Sequence, residues 1–300
     1  MHVTKEYIKK RREPISLETA QSIIQGRVKQ LVPVNLPVME ALGCVTAENI
    51  TAGMDQPPFP RSPYDGYALR AADSAGASTT APVKLQVAGR SFAGSPHGAR
   101  LEAMQAIRIM TGGVIPEGAD CVVPQEETEE AGAFIRIFRS LVPYENYCHA
   151  GEDYREGALL VHKGMPISAA VSVVVTSAGY QTMRCIPRAR VALLSTGDEL
   201  CAPGRELAPG QIYDSNRVFL EARLTELGAK VASVASVPDR LDVTQNAILA
   251  AIRDVDLLVI TGGVSVGLRD LVPEALHELG AEILFHGVKI KPGMPALFAI

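Results

Sequence analysis

Past Arg188 the chain settles into an alternation that few folds can accommodate. Apolar runs at 191–194, 230–237, 257–260 and 282–286 are each of strand length, and between them lie 216–227, 243–253 and 271–279, which read as helices. Buried strands alternating with helices predict a parallel sheet covered on both faces, a doubly wound α/β domain. In such a sheet ligands bind beyond the carboxyl ends of the strands. The loops that follow each strand are therefore where chemistry should collect.

Upstream the pattern differs. Ser16 can cap a helix carrying Leu17, Ala20, Ile23 and Ile24 on one face and ending near Gly26. Pro33, Pro37 and the Pro-rich stretch 56–63 then break the chain, with Phe59 and Tyr64 built into an ordered loop. Between residues 81 and 144 come short alternating runs: Val83, Leu85, Val87; Ile107, Ile109; 121–123; Phe134, Ile135, Ile137. Separated by Gly and Pro turns, they predict a small β barrel or sandwich. A strand at 158–161 and a helix at 168–177 follow, able to pack with the first helix as one discontinuous domain. The expected organisation is a multidomain α/β protein: a linker domain from residues 1–47 and 151–186, an inserted β domain at 48–150, and an α/β domain at 187–300. A length of 300 residues suits more than one core.

Composition removes several function classes. A net charge of −4 gives no basic surplus for nucleic acid, although a local site can still hold a small anion. The first 18 residues lack the hydrophobic stretch of a signal peptide, and runs such as 169–175 are too short to cross a bilayer, so a cytoplasmic protein without a membrane span is expected. The five cysteines contain no CxxC pair, so neither a disulfide framework nor a zinc site is signalled. The six histidines show no ligand spacing, and no Ser–His or Cys–His arrangement is evident. The chain reaches Ile300 inside the apolar run 296–300, where a strand is in progress, so it reads as a fragment.

The post-strand loops are informative. After the first strand come Ser195, Thr196, Gly197, Asp198 and Glu199; after the second, Asp239; after the third, the glycine-rich stretch 261–267, followed by Asp270. Gly262, Gly263 and Gly267 would let the backbone approach a phosphate closely at a helix N-terminus, although a bare glycine-rich turn is equally consistent with a tight connection. Asp198, Glu199, Asp239 and Asp270 repel a phosphate unless a hard cation sits between them, and their oxygens suit Mg²⁺. Taken singly, Asp198 or Asp270 is more simply a cap. Lys289, Lys291 and Pro292 follow the next strand, and beside the carboxylates the lysines look like anion ligands. Elsewhere, 62–68 places Asp65 in a rigid turn and 109–113 puts Thr111 at a strand end; neither is specific by its chemistry.

Taken in order, the motifs resemble the molybdopterin molybdenumtransferase family, which includes the catalytic C-terminal part of gephyrin. They are Pro57-Pro58-Phe59, Asp65-Gly66-Tyr67-Ala68, Arg108-Ile109-Met110-Thr111-Gly112, Pro116-Glu117-Gly118-Ala119-Asp120, Gly151-Glu152-Asp153, the stretches 195–200, 212–216 and 261–267, Asp270, and Lys291-Pro292-Gly293. The resemblance implies insertion of molybdate into adenylyl-molybdopterin with release of AMP, dependent on Mg²⁺. It also implies a homodimer whose cleft lies between the α/β domain of one subunit and the inserted domain of the other. Carried over residue by residue, it gives Asp65, Thr111, Asp153, Glu199, Asp239 and Asp270 as catalytic positions, beside the metal ligands Asp198, Glu199, Asp239 and Asp270 expected from the post-strand loops. Substrate contacts are expected from Ser195, Thr196, Gly197, Gly262, Gly263, Ser265, Gly267, Lys289, Lys291 and Pro292. Met294 stands where the family has a second lysine, and the family's Pro-Gly-Asn-Pro loop and C-terminal β domain would lie beyond Ile300. Two other readings remain: a nucleotide pyrophosphatase of the competence-damage type built on the same α/β domain, and a non-catalytic scaffold that keeps a pterin pocket.

Overall fold

The computed structural model describes residues 13–264 and 271–300. It forms two compact units, one built from the described parts of Met1–Leu36, Ala41–Ala47 and Arg184–Ile300, the other from Pro37–Glu40 and Glu48–Met183.

The first unit is organised on the strand Arg190–Thr196, in which every residue from Val191 to Thr196 is buried. Such a run is what a strand flanked on both edges and covered on both faces needs. Lys230–Val237 pairs with it in parallel on one side and Leu257–Thr261 in parallel on the other. Because the second strand lies to one side of the first and the third to the opposite side, right-handed crossovers place the helices Ser215–Glu226 and Leu241–Ala251 on opposite faces. Leu241, Ala247 and Ile248 from the second of these pack with Ala275, Leu276 and Leu279 over Leu194, Leu258 and Ile260. Asp214 caps Ser215–Glu226 by accepting from the Arg217 N–H at 3.1 Å.

The strand Ile283–His286 corrects the sequence-based expectation. Its apolar run does form a strand, but it pairs antiparallel with Leu297–Ala299 in a separate two-stranded sheet rather than extending the parallel one. The reason lies in its side-chain partners. Phe285 and Val288 pack with Ala20, Ile23 and Ile24 of the helix Leu17–Arg27, and the Phe285 and Phe298 ring centroids lie 5.9 Å apart. Ser16 caps that helix by accepting from Thr19 N–H at 3.1 Å. Nearby, Val45–Thr46 pairs antiparallel with the strand ending at Ile186.

The second unit holds a six-stranded sheet in the order Cys121–Pro124, Gly66–Leu69, Gln105–Ile109, Val83–Ser91, Phe134–Ile137, Thr128–Ala131. All four sequence-predicted runs are strands within it. The sheet is mixed, however, since Val83–Ser91 runs parallel to Gln105–Ile109, and the connection 92–104 is long enough for that crossover. Its outermost strands do not pair with each other among the described residues, so it is one curled sheet, not the closed barrel or two-sheet sandwich expected. Alternation buries both faces: Tyr67, Leu69, Cys121 and Val123 enter one core, Ala68, Val122 and Ile109 the other. Burial, with Asp120 beside it, pushes the Cys121 thiol up to about 12. The five cysteines are all free, and none of the described helices is long and apolar enough to cross a membrane.

Candidate active site

The chain crosses from Lys230–Val237 at one edge of the parallel sheet to Leu257–Thr261 at the other, past Arg190–Thr196, so the strand order reverses between Arg190–Thr196 and Leu257–Thr261 and makes a switch point at their carboxyl ends. There, Ser195 Oγ donates to Asp214 Oδ2 at 2.6 Å, and Thr196 Oγ1 donates to Asp239 Oδ1 at 2.7 Å. The Asp239 N–H donates in turn to Asp198 Oδ1 at 3.1 Å, so the Asp198 carboxylate is held on the peptide of Asp239. Glu199 folds its carboxyl back over Gly197, and a Cβ on that glycine would sit 2.6 Å from Glu199 Oε2. Across the switch point the turn after the third strand presses on the first. A Cβ on Gly262 would lie 2.0 Å from the Thr196 carbonyl oxygen, and one on Gly263 would lie 3.1 Å from both Thr196 Cγ2 and Val272 Cγ2. Both glycines have positive φ, +92° and +58°. The Gly263 carbonyl accepts from the Val272 N–H at 3.2 Å, tying the turn to the following helix.

The second unit brings Asp65 and Thr111 together. Asp65 Oδ1 accepts from Thr111 N–H at 2.8 Å and from Thr111 Oγ1 at 2.7 Å. The two loops are locked by Gly112 N–H donating to the Ser62 carbonyl at 2.9 Å and Ser62 N–H to the Gly113 carbonyl at 3.0 Å. These bonds from Thr111, backbone first and hydroxyl second, hold the Asp65 carboxyl below the usual aspartate range, with Arg108 adding a smaller pull. Arg108 stacks over the Tyr67 ring at 4.9 Å and pairs with Glu130 at 3.5 Å, and Glu130 accepts from the Tyr67 hydroxyl at 2.6 Å. A lowered folded-state pKa contributes stability above the unfolded value and loses it as pH falls through the folded one. Thr111→Val keeps the N–H and removes the hydroxyl, so the Asp65 carboxyl should titrate at higher pH, closer to the ordinary value. NMR titration of that carboxyl reads it; an unmoved midpoint contradicts the assignment. Asp153 stands apart from this pair in its contacts, forming an exposed ion pair with Arg61 at 4.0 Å.

Residues 15–179 match the family model described as the MoeA N-terminal region (domain I and II), and residues 192–300 match a probable molybdopterin binding domain. The chain is 38% identical over 283 residues to a molybdopterin molybdenumtransferase of Staphylococcus epidermidis, an alignment covering 94% of this chain and 68% of the relative. The chain belongs to the molybdopterin molybdenumtransferase family. A member from Bacillus subtilis is 37% identical over 287 residues, with 94% of this chain and 67% of that one covered. A crystal structure of a molybdopterin biosynthesis moea protein from Pyrococcus horikosii superposes with a TM-score of 0.75 at 32% identity, covering 96% of this chain and 72% of that one. The chain thus spans about two thirds of the length of these molybdenumtransferase relatives.

In this molybdenumtransferase chain the predicted residues fall into distinct groups. Ser195, Thr196, Gly197, Asp198, Glu199, Asp239, Gly262 and Gly263 line the carboxyl end of the parallel sheet, while Lys289, Lys291 and Pro292 are exposed in the turn beyond Ile283–His286. Ser265, Gly267 and Asp270 lie outside the described residues. Among the described residues no three His, Cys, Asp or Glu side chains converge as a metal cage. The donor chemistry nonetheless suits Mg²⁺, which keeps several waters and needs only one or two carboxylates, and the Asp198 carboxylate is bonded to the Asp239 peptide. Two residues escaped the sequence reading. Asp214 is 3% exposed and joins Ser195 to a helix start, and its place just before an amphipathic run was a usable signal. His286, whose Nε2 lies 2.7 Å from the Val264 carbonyl oxygen, had none.

Proposed function

We propose that this chain acts in molybdenum cofactor biosynthesis as a molybdopterin molybdenumtransferase, inserting molybdate into adenylyl-molybdopterin with release of AMP. The observation that carries the reading is the join between Asp198, Asp239 and the Gly262–Gly263 turn at the switch point, which sets oxygen donors beside a backbone shaped for close approach. In this reading the N–H groups of 262–267 bind the pterin phosphate, with Ser195, Thr196 and Gly197 shaping the pocket floor. Lys289 and Lys291, with Pro292 beside them as a substrate contact, contribute positive charge toward the oxyanion. Of Asp198, Glu199, Asp239 and Asp270, one or two would hold Mg²⁺ directly with waters completing its shell, and its charge would polarise the phosphoanhydride. Thr196 orients Asp239 through its 2.7 Å hydrogen bond, and the Asp239 peptide orients Asp198. Asp65 and Thr111 form a second catalytic group, with Asp65 kept ionised by the Thr111 donors, and Asp153 is a further catalytic position. The work is electrostatic positioning rather than covalent catalysis.

The test incubates the chain with adenylyl-molybdopterin, molybdate and Mg²⁺. AMP and molybdenum cofactor should appear in equal amounts, and chelating the divalent cation should slow both. AMP release without cofactor would make the chain a hydrolase and end the proposal. We propose further that it works in the cytoplasm as a homodimer, so sedimentation at micromolar concentration should give twice the chain mass; a single-chain mass refutes the dimer alone.

A further inference from the structure

We propose that the ring cluster of Tyr144, Tyr147 and His149 is a stacking platform for the adenine of an adenylate. The inference rests on the reading of the substrate as adenylyl-molybdopterin and deepens it. In that reading the pterin phosphate, the oxyanion and the phosphoanhydride have residues assigned to them, and the adenine has none.

The three rings meet one another. Tyr144 and Tyr147 pack edge to face with centroids 5.3 Å apart and planes at 80°, and His149 lies 4.9 Å from Tyr144 and 4.7 Å from Tyr147. Tyr147 is half-buried against the core of Ile109, Ile115 and Val122, whereas Tyr144 is 59% exposed and His149 is exposed as well. The backbone sharpens the contrast. Tyr144 has φ +65° and Asn146 +54°, a left-handed conformation that strains a bulky residue and that glycine adopts freely. Burial does not explain a tyrosine held there with its ring mostly in water. Such strain persists where a surrounding frame fixes a side chain for a ligand. The frame is present: Tyr144 N–H donates to the Asp120 carbonyl at 2.6 Å, Val122 N–H to the Glu145 carbonyl at 3.0 Å, and Asn146 Nδ2 to the Val122 carbonyl at 3.0 Å. A platform fixed beforehand loses little freedom on binding.

Charge and position select the occupant. The carboxylates of Asp120, Glu145, Glu152 and Asp153 already have donors in the Ala71 N–H, Arg139, the His149 N–H and Arg61, so the patch suits a neutral planar ring better than a cation. The same segment belongs to the frame of the proposed catalytic positions. Arg61, the ion-pair partner of Asp153, exchanges backbone hydrogen bonds of 3.0 and 3.1 Å with Cys148, the residue between Tyr147 and His149. The next residue, Ser62, is locked to Gly112 and Gly113 beside Thr111.

The probe is AMP. Titrated with the chain, its adenine ring-proton resonances should move upfield, the signature of a base lying on an aromatic face. Tyr144→Gly removes the ring and relaxes the backbone, so AMP should bind about tenfold more weakly while the melting temperature holds or rises. Tyr144→Phe keeps a ring and should hold AMP affinity within about threefold. Parental affinity in Tyr144→Gly, or a melting temperature that falls together with the affinity, overturns the proposal. So does a free pterin that displaces AMP from the rings, which would give the platform to the other end of the substrate. The two readings fail separately: a chain that binds AMP on these rings but forms no molybdenum cofactor sinks the functional reading alone. One that forms cofactor with the KM for adenylyl-molybdopterin unchanged in Tyr144→Gly sinks the platform alone.

Discussion

Asp239→Asn is expected to slow molybdate insertion by two orders of magnitude or more while the protein stays folded. The asparagine amide oxygen can still accept from Thr196 Oγ1, and the residue 239 N–H can still donate to Asp198, so both bonds that shape the pole persist. What disappears is one negative charge beside the proposed metal position. Loss of an electrostatic contact made in the transition state corresponds to about 3 kcal/mol, or roughly a hundredfold in rate. Steady-state kinetics with adenylyl-molybdopterin, read beside thermal unfolding, separates the two effects. A rate within threefold of the parent would make Asp239 a loop-shaping residue that Thr196 needs and chemistry does not.

The largest stability effect should come from Gly262→Ala. The added methyl would meet the Thr196 carbonyl oxygen at 2.0 Å, a backbone atom of a strand buried from Val191 to Thr196 that cannot swing aside, and φ there is +92°. Strain and overpacking together should cost about 3 kcal/mol or more. Gly210→Ala is the matched control, because φ is +85° and nothing lies within 4 Å of the new methyl. It should lose only about 1 to 2 kcal/mol from the left-handed backbone. Denaturant unfolding of the pair isolates the close approach; equal losses would mean that the two strand ends do not press together in solution.

Much of this arrangement was legible in the sequence, and the misses have physical causes. The strand Arg190–Thr196 could be read because burial on both faces demands an apolar run, and the helix Leu17–Arg27 because Ser16 is a side chain that caps a helix start. The strand Ile283–His286 could be located but not paired, since periodicity reports an element and not its neighbour. The Asp65 and Thr111 hydrogen bond spans 46 positions, and each residue alone is an ordinary turn component. Only the ordered set of motifs singled them out. His286 gave no signal because its partner is a backbone carbonyl, which any residue at position 264 would provide.

The packing of the helix Leu17–Arg27 on Phe285, Val288 and Phe298 bears on how the chain is made. Emerging from the ribosome at about 5–20 residues per second, this helix would wait tens of seconds for partners encoded near the far end. During that interval Ile23 and Ile24 have no lasting cover, and the unit they belong to cannot close. The six-stranded sheet, encoded wholly between Gly66 and Ile137, is complete long before. Synthesis order thus makes the inserted segment the early folder and leaves the amphipathic N-terminus as the stretch that nascent-chain chaperones would have most time to hold.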